Sequence, residues 1–136
     1  SLRKNLKNFI TKLKTKNIEF VNSDFREIAI ETANNTLVYC DPPYFLGTAS
    51  YNENGGWTEK DEIDLLNYLS LLDSKGIKFA LSNVIEHKGS KHNVLESWVK
   101  EHNYKIHFID CDYNNSNYHK QNGNITKTKE VLITNY

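Results

Sequence analysis

A short apolar run that ends in two consecutive prolines places the strongest constraint on this chain. Residues 36–40 (TLVYC) are followed directly by Asp41, Pro42, Pro43 and Tyr44. Two prolines end any strand or helix, because they remove two backbone donors and fix two φ angles. The acid before them and the tyrosine after them are therefore held in a stiff geometry, which suits either a rigid turn or a reaction site.

The composition is that of a globular chain with one domain and one core. The chain has 136 residues, of which 38% are hydrophobic and 25% charged. No run approaches the roughly 18 apolar residues of a membrane span, and residues 1–17 lack the continuous apolar core of a signal peptide. The formal net charge of zero argues against a general nucleic-acid binder, although residues 1–16 carry only basic charges. Cys40 and Cys111 are interpreted as small, buried, reduced residues of an intracellular protein.

The apolar pattern predicts helices alternating with strands along most of the chain. Helices are predicted over 2–15, from Thr58 to Gly76, and over about 91–102. Strands are predicted over 17–21, 36–40, 77–83, 104–110 and 130–136. This order is typical of an α/β fold with a mostly parallel sheet flanked by helices. Because no helix separates the last two strands, the last strand is expected to run antiparallel.

Local signals define two of these elements more closely. The continuous apolar run at 36–40 favours a strand buried on both faces. Thr58 and Asp61, three residues apart, predict a capped helix start, and Gly76 predicts the end of that helix. The predicted buried stripe of this helix consists of Leu65, Leu66, Leu69 and Leu72.

The segment after Cys40 suits a planar ring that bears an exocyclic amino group. Ligands of open α/β sheets bind outside the carboxyl ends of the strands, which is where this segment is expected. The Asp41 carboxylate and the Pro42 carbonyl can accept the two amine protons, and Tyr44 can stack on the ring. Two aligned acceptors favour a more tetrahedral nitrogen and stabilise its developing positive charge while a methyl group transfers from a sulfonium. This chemistry needs no metal, and the histidines show no zinc-ligand spacing.

These residues resemble a known family. Asp-Pro-Pro-Tyr after an apolar strand is similar to the catalytic motif of adenine-N6 DNA methyltransferases, which use S-adenosylmethionine. SDF at 23–25, FALSN at 79–83, NSNY ending at Tyr118, and EVLITNY at 130–136 resemble further segments of the Dam-like group, in the same order. The resemblance implies a partial Rossmann-like methyltransferase sheet.

The resemblance also implies roles for residues that would contact the cofactor. The catalytic tetrapeptide would be Asp41, Pro42, Pro43 and Tyr44. Asp41 would also lie against the methionine end of S-adenosylmethionine. Asp24 would accept a hydrogen bond from the adenine amine of the cofactor, and Phe25 would pack beside it.

On the substrate side, the resemblance implies double-stranded DNA with its target adenine flipped out of the stack. Tyr44, Asn117 and Tyr118 would line the pocket for that base. The enzyme would be cytoplasmic, free of metal and membrane, and part of a restriction–modification or DNA-marking system.

The chain differs from the family pattern because several segments of that pattern have no counterpart in it. Its six glycines include no glycine-rich cofactor loop, and a Lys-containing cofactor segment and a helical target-recognition region have no counterpart. We therefore expect residues 1–136 to be the C-terminal catalytic part of such a domain, inactive and a poor binder of cofactor when alone. An incomplete sheet with apolar edges favours self-association.

Simpler interpretations stand beside these assignments. Asp41–Tyr44 can be only a turn, Asp24 can be a capping acid, and Asn83 can be a turn residue. Related tetrapeptides also serve methyl transfer to RNA or to protein amides. The missing glycine loop favours a non-catalytic remnant or a nucleic-acid-binding module, whereas the intact tetrapeptide counts against it.

Overall fold

The computed structural model describes residues 1–31, 34–46, 56–109 and 128–136. Within these ranges the helices are α1 (Leu2–Thr15), α2 (Glu59–Ser74) and α3 (Asn93–His102). The strands are β1 (Leu37–Cys40), β2 (Lys78–His87), β3 (Ser90–Lys91), β4 (Lys105–Ile109) and β5 (Thr128–Thr134). Phe25–Glu27 form one turn of 3-10 helix. No helix in the described ranges is long and apolar enough to cross a membrane.

The strands form one mixed sheet in the order β1-β2-β5-β4, and β3 pairs with the end of β2. β1 pairs parallel with β2, from Leu37 opposite Lys78 to Cys40 opposite Leu81. β5 is antiparallel to both β2 and β4. β1, β2 and β4 therefore share one direction and β5 opposes them, which confirms the predicted α/β class with an antiparallel last strand. The sheet is consistent with a partial Rossmann-like fold.

The core lies between one face of the sheet and helices α2 and α3. The predicted stripe of α2 is buried, since its four leucines are at most 3% exposed. Alternate residues of the central strands meet this stripe, because successive side chains of a strand point to opposite faces. The remaining buried members of this core are Ile77, Phe79, Leu81, Ile85, Leu95, Trp98, Val99, Val131 and Ile133. Burying each large aliphatic side chain contributes about 1.5–3 kcal/mol.

Helix boundaries follow the local signals in the sequence. At the start of α2, the Asp61 N–H donates to Thr58 Oγ1 at 3.2 Å and the Thr58 N–H donates to the Asp61 carboxylate at 2.9 Å. Gly76 follows the end of α2 at a φ of 73°, a left-handed conformation that glycine adopts without strain. α1 spans the predicted residues, although none of its side chains is buried.

Two expectations about strands are wrong. Residues 17–21 form no strand, and Phe20 and Val21 are 79% and 68% exposed. A strand needs a neighbour for its backbone N–H and C=O groups, and the sheet of the described residues ends at β1. β1 is also not buried on both faces, because in the described part of the chain α2 and α3 cover only one face of the sheet. Leu37 and Tyr39 are 56% and 61% exposed on the other face.

Candidate active site

The segment Asp41–Tyr44 leaves the carboxyl end of β1, at the edge of the sheet where the sequence predicted a site. Asp41 is exposed, and Pro42, Pro43 and Tyr44 are half-buried. The two prolines end β1 because they lack the N–H groups that would continue its ladder with β2. An exposed carboxylate is thus presented on a stiff backbone at the end of a strand that is anchored in the sheet.

Tyr44 is held in place by the neighbouring strand β2. Its hydroxyl lies 3.0 Å from the hydroxyl of Ser82, which is 8% exposed. Because Cys40 pairs with Leu81, Ser82 lies just beyond the end of β1. Desolvation raises the pKa of Tyr44, and the negative charges of Glu130 and Asp41 raise it further. The Ser82 hydrogen bond lowers the same pKa but does not cancel the rise. The phenol is therefore neutral at physiological pH, and its ring is oriented from β2.

Asp24 caps the 3-10 turn that precedes β1. Its Oδ1 accepts from the backbone N–H of Arg26 at 2.9 Å, and its Oδ2 lies 3.0 Å from Nη1 of Arg26. The capping interpretation of Asp24 is thus confirmed. Its side chain is 48% exposed, and a carboxylate offers about four acceptor positions. Asp24 therefore keeps acceptor capacity that faces solvent.

Arg26 fastens this turn to the first turns of α2. Its guanidinium bonds Asp61, and its Nε donates to Asp64 at 2.8 Å. Hydrogen bonds to these two carboxylates raise the pKa of Arg26 well above its ordinary value. The Thr58 hydroxyl and backbone N–H, followed by Arg26, lower the pKa of Asp61 to about 2. The charged cluster therefore holds Asp24 and its turn against α2.

Phe25 belongs to an aromatic group between the turn and α2. Its ring centroid lies 6.0 Å from that of Trp57 and 5.9 Å from that of Tyr68. The Tyr68 hydroxyl donates to the carbonyl of Ile28 at 3.1 Å, which fixes the end of the same turn. Phe25 is half-buried, so part of its surface is open beside Asp24.

A buried polar cluster, unforeseen in the sequence, lies behind the site. It consists of Glu62, Trp57, Asn83 and His92, and is called the Glu62 cluster below. Glu62 is 1% exposed. Its Oε2 accepts from the Trp57 indole at 2.6 Å, and its Oε1 accepts from the Asn83 amide at 2.7 Å. Asn83 lies within β2 and is 0% exposed, so the interpretation of this residue as part of a turn is wrong.

His92 joins this cluster to the residue that follows the tetrapeptide. The backbone N–H of Leu95 donates to His92 Nδ1 at 3.2 Å, so the neutral ring carries its proton on Nε2 and donates to Glu62 at 2.9 Å. The His92 ring centroid lies 5.3 Å from that of Phe45. His92 is thus a satisfied buried histidine, and no group of His, Cys, Asp and Glu in the described part of the chain is suited to a metal.

The other residues singled out in the sequence have different outcomes. Cys40 is a free, half-buried thiol, and burial raises its pKa. Asn117, Tyr118 and Cys111 lie outside the described residues. Glu62 carries no local signal of a role in the site, because it is an acid in the first turn of a helix. Ser82 lies within the family-like segment at 79–83, but the sequence of that segment does not indicate its contact with Tyr44.

The fold is that of an α/β protein with a partial Rossmann-like sheet, and the comparisons with known proteins define its family. Residues 1–114 match the family of D12 class N6 adenine-specific DNA methyltransferases. The chain therefore belongs to this family, and the resemblance found in the sequence is confirmed.

Several modification methylases are similar to this chain. Type II methyltransferase M.FokI of Planomicrobium okeanokoites is 45% identical over 100% of the chain, and modification methylase StsI of Streptococcus sanguinis is 40% identical over the same extent. Modification methylase LlaI of Lactococcus lactis subsp. lactis is 38% identical over 78% of the chain. The chain spans 21% of the length of the first two relatives and 16% of the third.

Proposed function

We propose that this chain carries the catalytic segment of an enzyme that methylates the N6 amine of adenine in a specific site of double-stranded DNA. The observation that carries the proposal is the exposed Asp41 on a rigid Pro-Pro backbone at the end of β1, beside a tyrosine anchored on Ser82. Family membership and the modification methylases among the relatives support the same activity. They also favour a restriction–modification role, in the cytoplasm where the DNA lies.

The residues present fit S-adenosylmethionine, which supplies an electrophilic methyl group on a sulfonium when bound. Asp24 offers a half-exposed acceptor to the adenine amine of that molecule, and Phe25 offers an aromatic surface beside it. Asp41 would lie against its methionine end. Residues 1–136 would contribute the C-terminal part of the methyltransferase domain.

In the reaction, Asp41 and Pro42 act on the target amine. The Asp41 carboxylate and the Pro42 carbonyl accept its two N–H groups, which turns the nitrogen lone pair out of conjugation with the ring. When bound, S-adenosylmethionine would supply the methyl group to this nitrogen, and the Asp41 carboxylate would face the positive charge that develops there. The surplus proton on nitrogen leaves through Asp41 or to water.

Tyr44 would hold the target base in this position. The amine of a stacked base is out of reach, so the adenine must be flipped out of the duplex. Stacking of a base on an aromatic ring is worth about 1–3 kcal/mol, and the Ser82 hydrogen bond fixes the orientation of the Tyr44 ring. Asn117 and Tyr118 are proposed to line the same pocket.

The decisive test is a methyl-transfer assay on the natural protein that carries this chain. Purified protein is incubated with labelled S-adenosylmethionine and duplex DNA, and label in N6-methyladenine is quantified. Asp41→Ala is expected to slow transfer at least ~100-fold, because it removes an acceptor aimed at the developing charge. Glu96→Ala, which removes an exposed acid of α3, serves as the matched control and should retain the wild-type rate.

Each other result has a distinct meaning. Label that appears in RNA or protein rather than in DNA would show that DNA is not the substrate. A folded, cofactor-binding protein that labels none of these would point to the non-catalytic binding module.

A further inference from the structure

Glu62 is an unusual residue for the interior, because acids are almost never fully buried unless they are paired. It is 1% exposed, and its carboxylate accepts three side-chain hydrogen bonds, from Trp57, Asn83 and His92. These donors come from three separate parts of the chain: the approach to α2, the middle of β2 and the start of α3. One carboxylate thus fixes three segments relative to one another.

Two of these donors lead directly to the tetrapeptide. Asn83 is the neighbour of Ser82 in β2, and consecutive residues of a strand point to opposite faces of the sheet. Asn83 is bonded to Glu62 on the helix side, while Ser82 is bonded to the Tyr44 hydroxyl. The His92 ring, held by Glu62, packs on Phe45, which directly follows Tyr44.

The third donor leads to the segment proposed to hold the cofactor. The Trp57 indole is bonded to Glu62, and its ring contacts Phe25, next to Asp24. The Glu62 carboxylate is therefore connected through one or two side chains to both halves of the proposed site.

We propose that Glu62 is a positioning residue that holds the segment Asp41–Phe45 in its reactive geometry from the helix side of the sheet. The proposal rests on the proposed function for its effect on rate. Reacting groups must be placed within a fraction of an ångström, and a misplacement of about 1 Å can slow a reaction ~100-fold. Glu62 acts through Asn83, Ser82, His92 and Phe45 and touches no substrate.

Glu62→Gln is the informative variant, because it keeps the shape of the side chain. The Gln Oε1 can still accept from Asn83 and His92, but these hydrogen bonds are no longer charge-assisted and are about half as strong. Its amide N–H₂ faces the Trp57 N–H and cannot accept from it. Asp73→Asn is the matched control at the other end of α2. Asp73 accepts from the Tyr104 hydroxyl at 3.0 Å and from the Asn135 amide at 2.7 Å, so this change also removes a bonded acid.

The two variants are compared in the natural protein by single-turnover methyl transfer at saturating cofactor and DNA. For Glu62→Gln we expect a rate between ~10-fold and ~100-fold below wild type, with an unchanged dissociation constant for DNA, at a temperature where circular dichroism shows wild type and both variants to be folded. Asp73→Asn should transfer methyl at the wild-type rate. A Glu62→Gln protein that is destabilised yet transfers methyl at the wild-type rate would reduce Glu62 to a structural role and overturn the proposal.

A readout independent of activity separates this proposal from the proposed function. The protein is labelled with 4-fluorophenylalanine, and the ¹⁹F resonance of Phe45 is assigned by its loss in Phe45→Leu. Glu62→Gln should shift or broaden this resonance, and Asp73→Asn should leave it unchanged. If wild type methylates no DNA but the resonance responds as expected, the activity is wrong and the positioning role stands. An unchanged Phe45 resonance in Glu62→Gln refutes the positioning role whatever the activity.

Discussion

Replacement of Trp57 by phenylalanine tests how strongly the Glu62 cluster stabilises the fold. The indole N–H is 2.6 Å from Glu62 Oε2, whereas Asn83 and His92 both bond Oε1. Trp57→Phe keeps an aromatic ring but leaves Oε2 without this donor. Hydrogen bonds to charged groups contribute about 1.5–3 kcal/mol, and a buried acceptor left unsatisfied costs a similar amount. We therefore expect the free energy of unfolding to fall by about 2–3 kcal/mol.

Urea unfolding of the 136-residue chain, followed by circular dichroism, measures this loss. With an m-value of about 2 kcal/mol/M, the midpoint should move down by roughly 1–1.5 M. The same substitution is then made in the Glu62→Gln background. There the Gln amide already faces the indole N–H, so removing that N–H relieves a contact between two donors. Trp57→Phe should therefore cost at least ~1 kcal/mol less in this background than in wild type.

Trp98→Phe provides the control for this double-mutant cycle. Its indole donates to the Ser70 hydroxyl at 2.8 Å and has no bond to Glu62. Its cost should therefore be additive with that of Glu62→Gln within about 0.5 kcal/mol. Equal costs of Trp57→Phe in the two backgrounds, or a cost in wild type below about 0.5 kcal/mol, would refute the view that the indole–carboxylate bond stabilises the cluster.

Two further predictions concern the ion pair between Arg26 and Asp61 and the hydrogen bond between Ser82 and Tyr44. The pKa of Asp61 is lowered to about 2, first by Thr58 and then by Arg26, from an ordinary value of 3.8. A depressed carboxyl pKa contributes stability above the ordinary pKa that is lost as the pH falls through the lowered one. Unfolding free energies measured between about pH 5 and pH 2 should therefore decline less in Arg26→Gln than in wild type; equal declines would contradict the ion-pair assignment. Ser82→Ala removes the bond that lowers the pKa of Tyr44, so that pKa should rise and stability should fall by about 1 kcal/mol. Alkaline absorbance titration, with Tyr44→Phe as the reference, measures the first effect, and an unchanged titration would count against the hydrogen bond.

The boundaries of α2 could be predicted because their determinants are close together in the sequence. Thr58 and Asp61 form a reciprocal cap over three residues, and Gly76 supplies the left-handed conformation just past the last turn. The leucine stripe repeats at helical spacing and is buried as expected. Each of these signals acts within about one or two helical turns, so no knowledge of distant contacts was needed.

Strand neighbours could not be predicted in the same way. β5 lies between β2 and β4, and its partners in β2 are more than 40 positions earlier, from Ala80 opposite Thr134 to His87 opposite Thr128. An apolar pattern states that a segment is suited to a sheet but does not state what lies beside or above it. For that reason the pattern at residues 17–21 predicts a strand that does not form, and the pattern of β1 predicts cover on both faces.

The site residues differ in the same way, because some are recognised from their neighbours in the sequence and others only from distant contacts. Asp41 and Tyr44 were identified from a contiguous tetrapeptide whose stiffness is a property of proline itself. Glu62 was overlooked because an acid in the first turn of a helix is explained by the helix dipole alone. Its partners Trp57, Asn83 and His92 lie 5, 21 and 30 residues away, and only the folded chain brings them together.

The arrangement of β2 explains how a residue that contacts no substrate can influence the chemistry. Ser82 and Asn83 are consecutive and therefore point to opposite faces of one strand. Ser82 anchors Tyr44, and Asn83 is tied to the buried carboxylate of Glu62. A shift of β2 at Asn83 must carry Ser82 with it, because the two share a peptide bond and both pair with β5. Tyr44, on one face of β2, is thus connected through Ser82 and Asn83 to a carboxylate on the other face that is shielded from solvent.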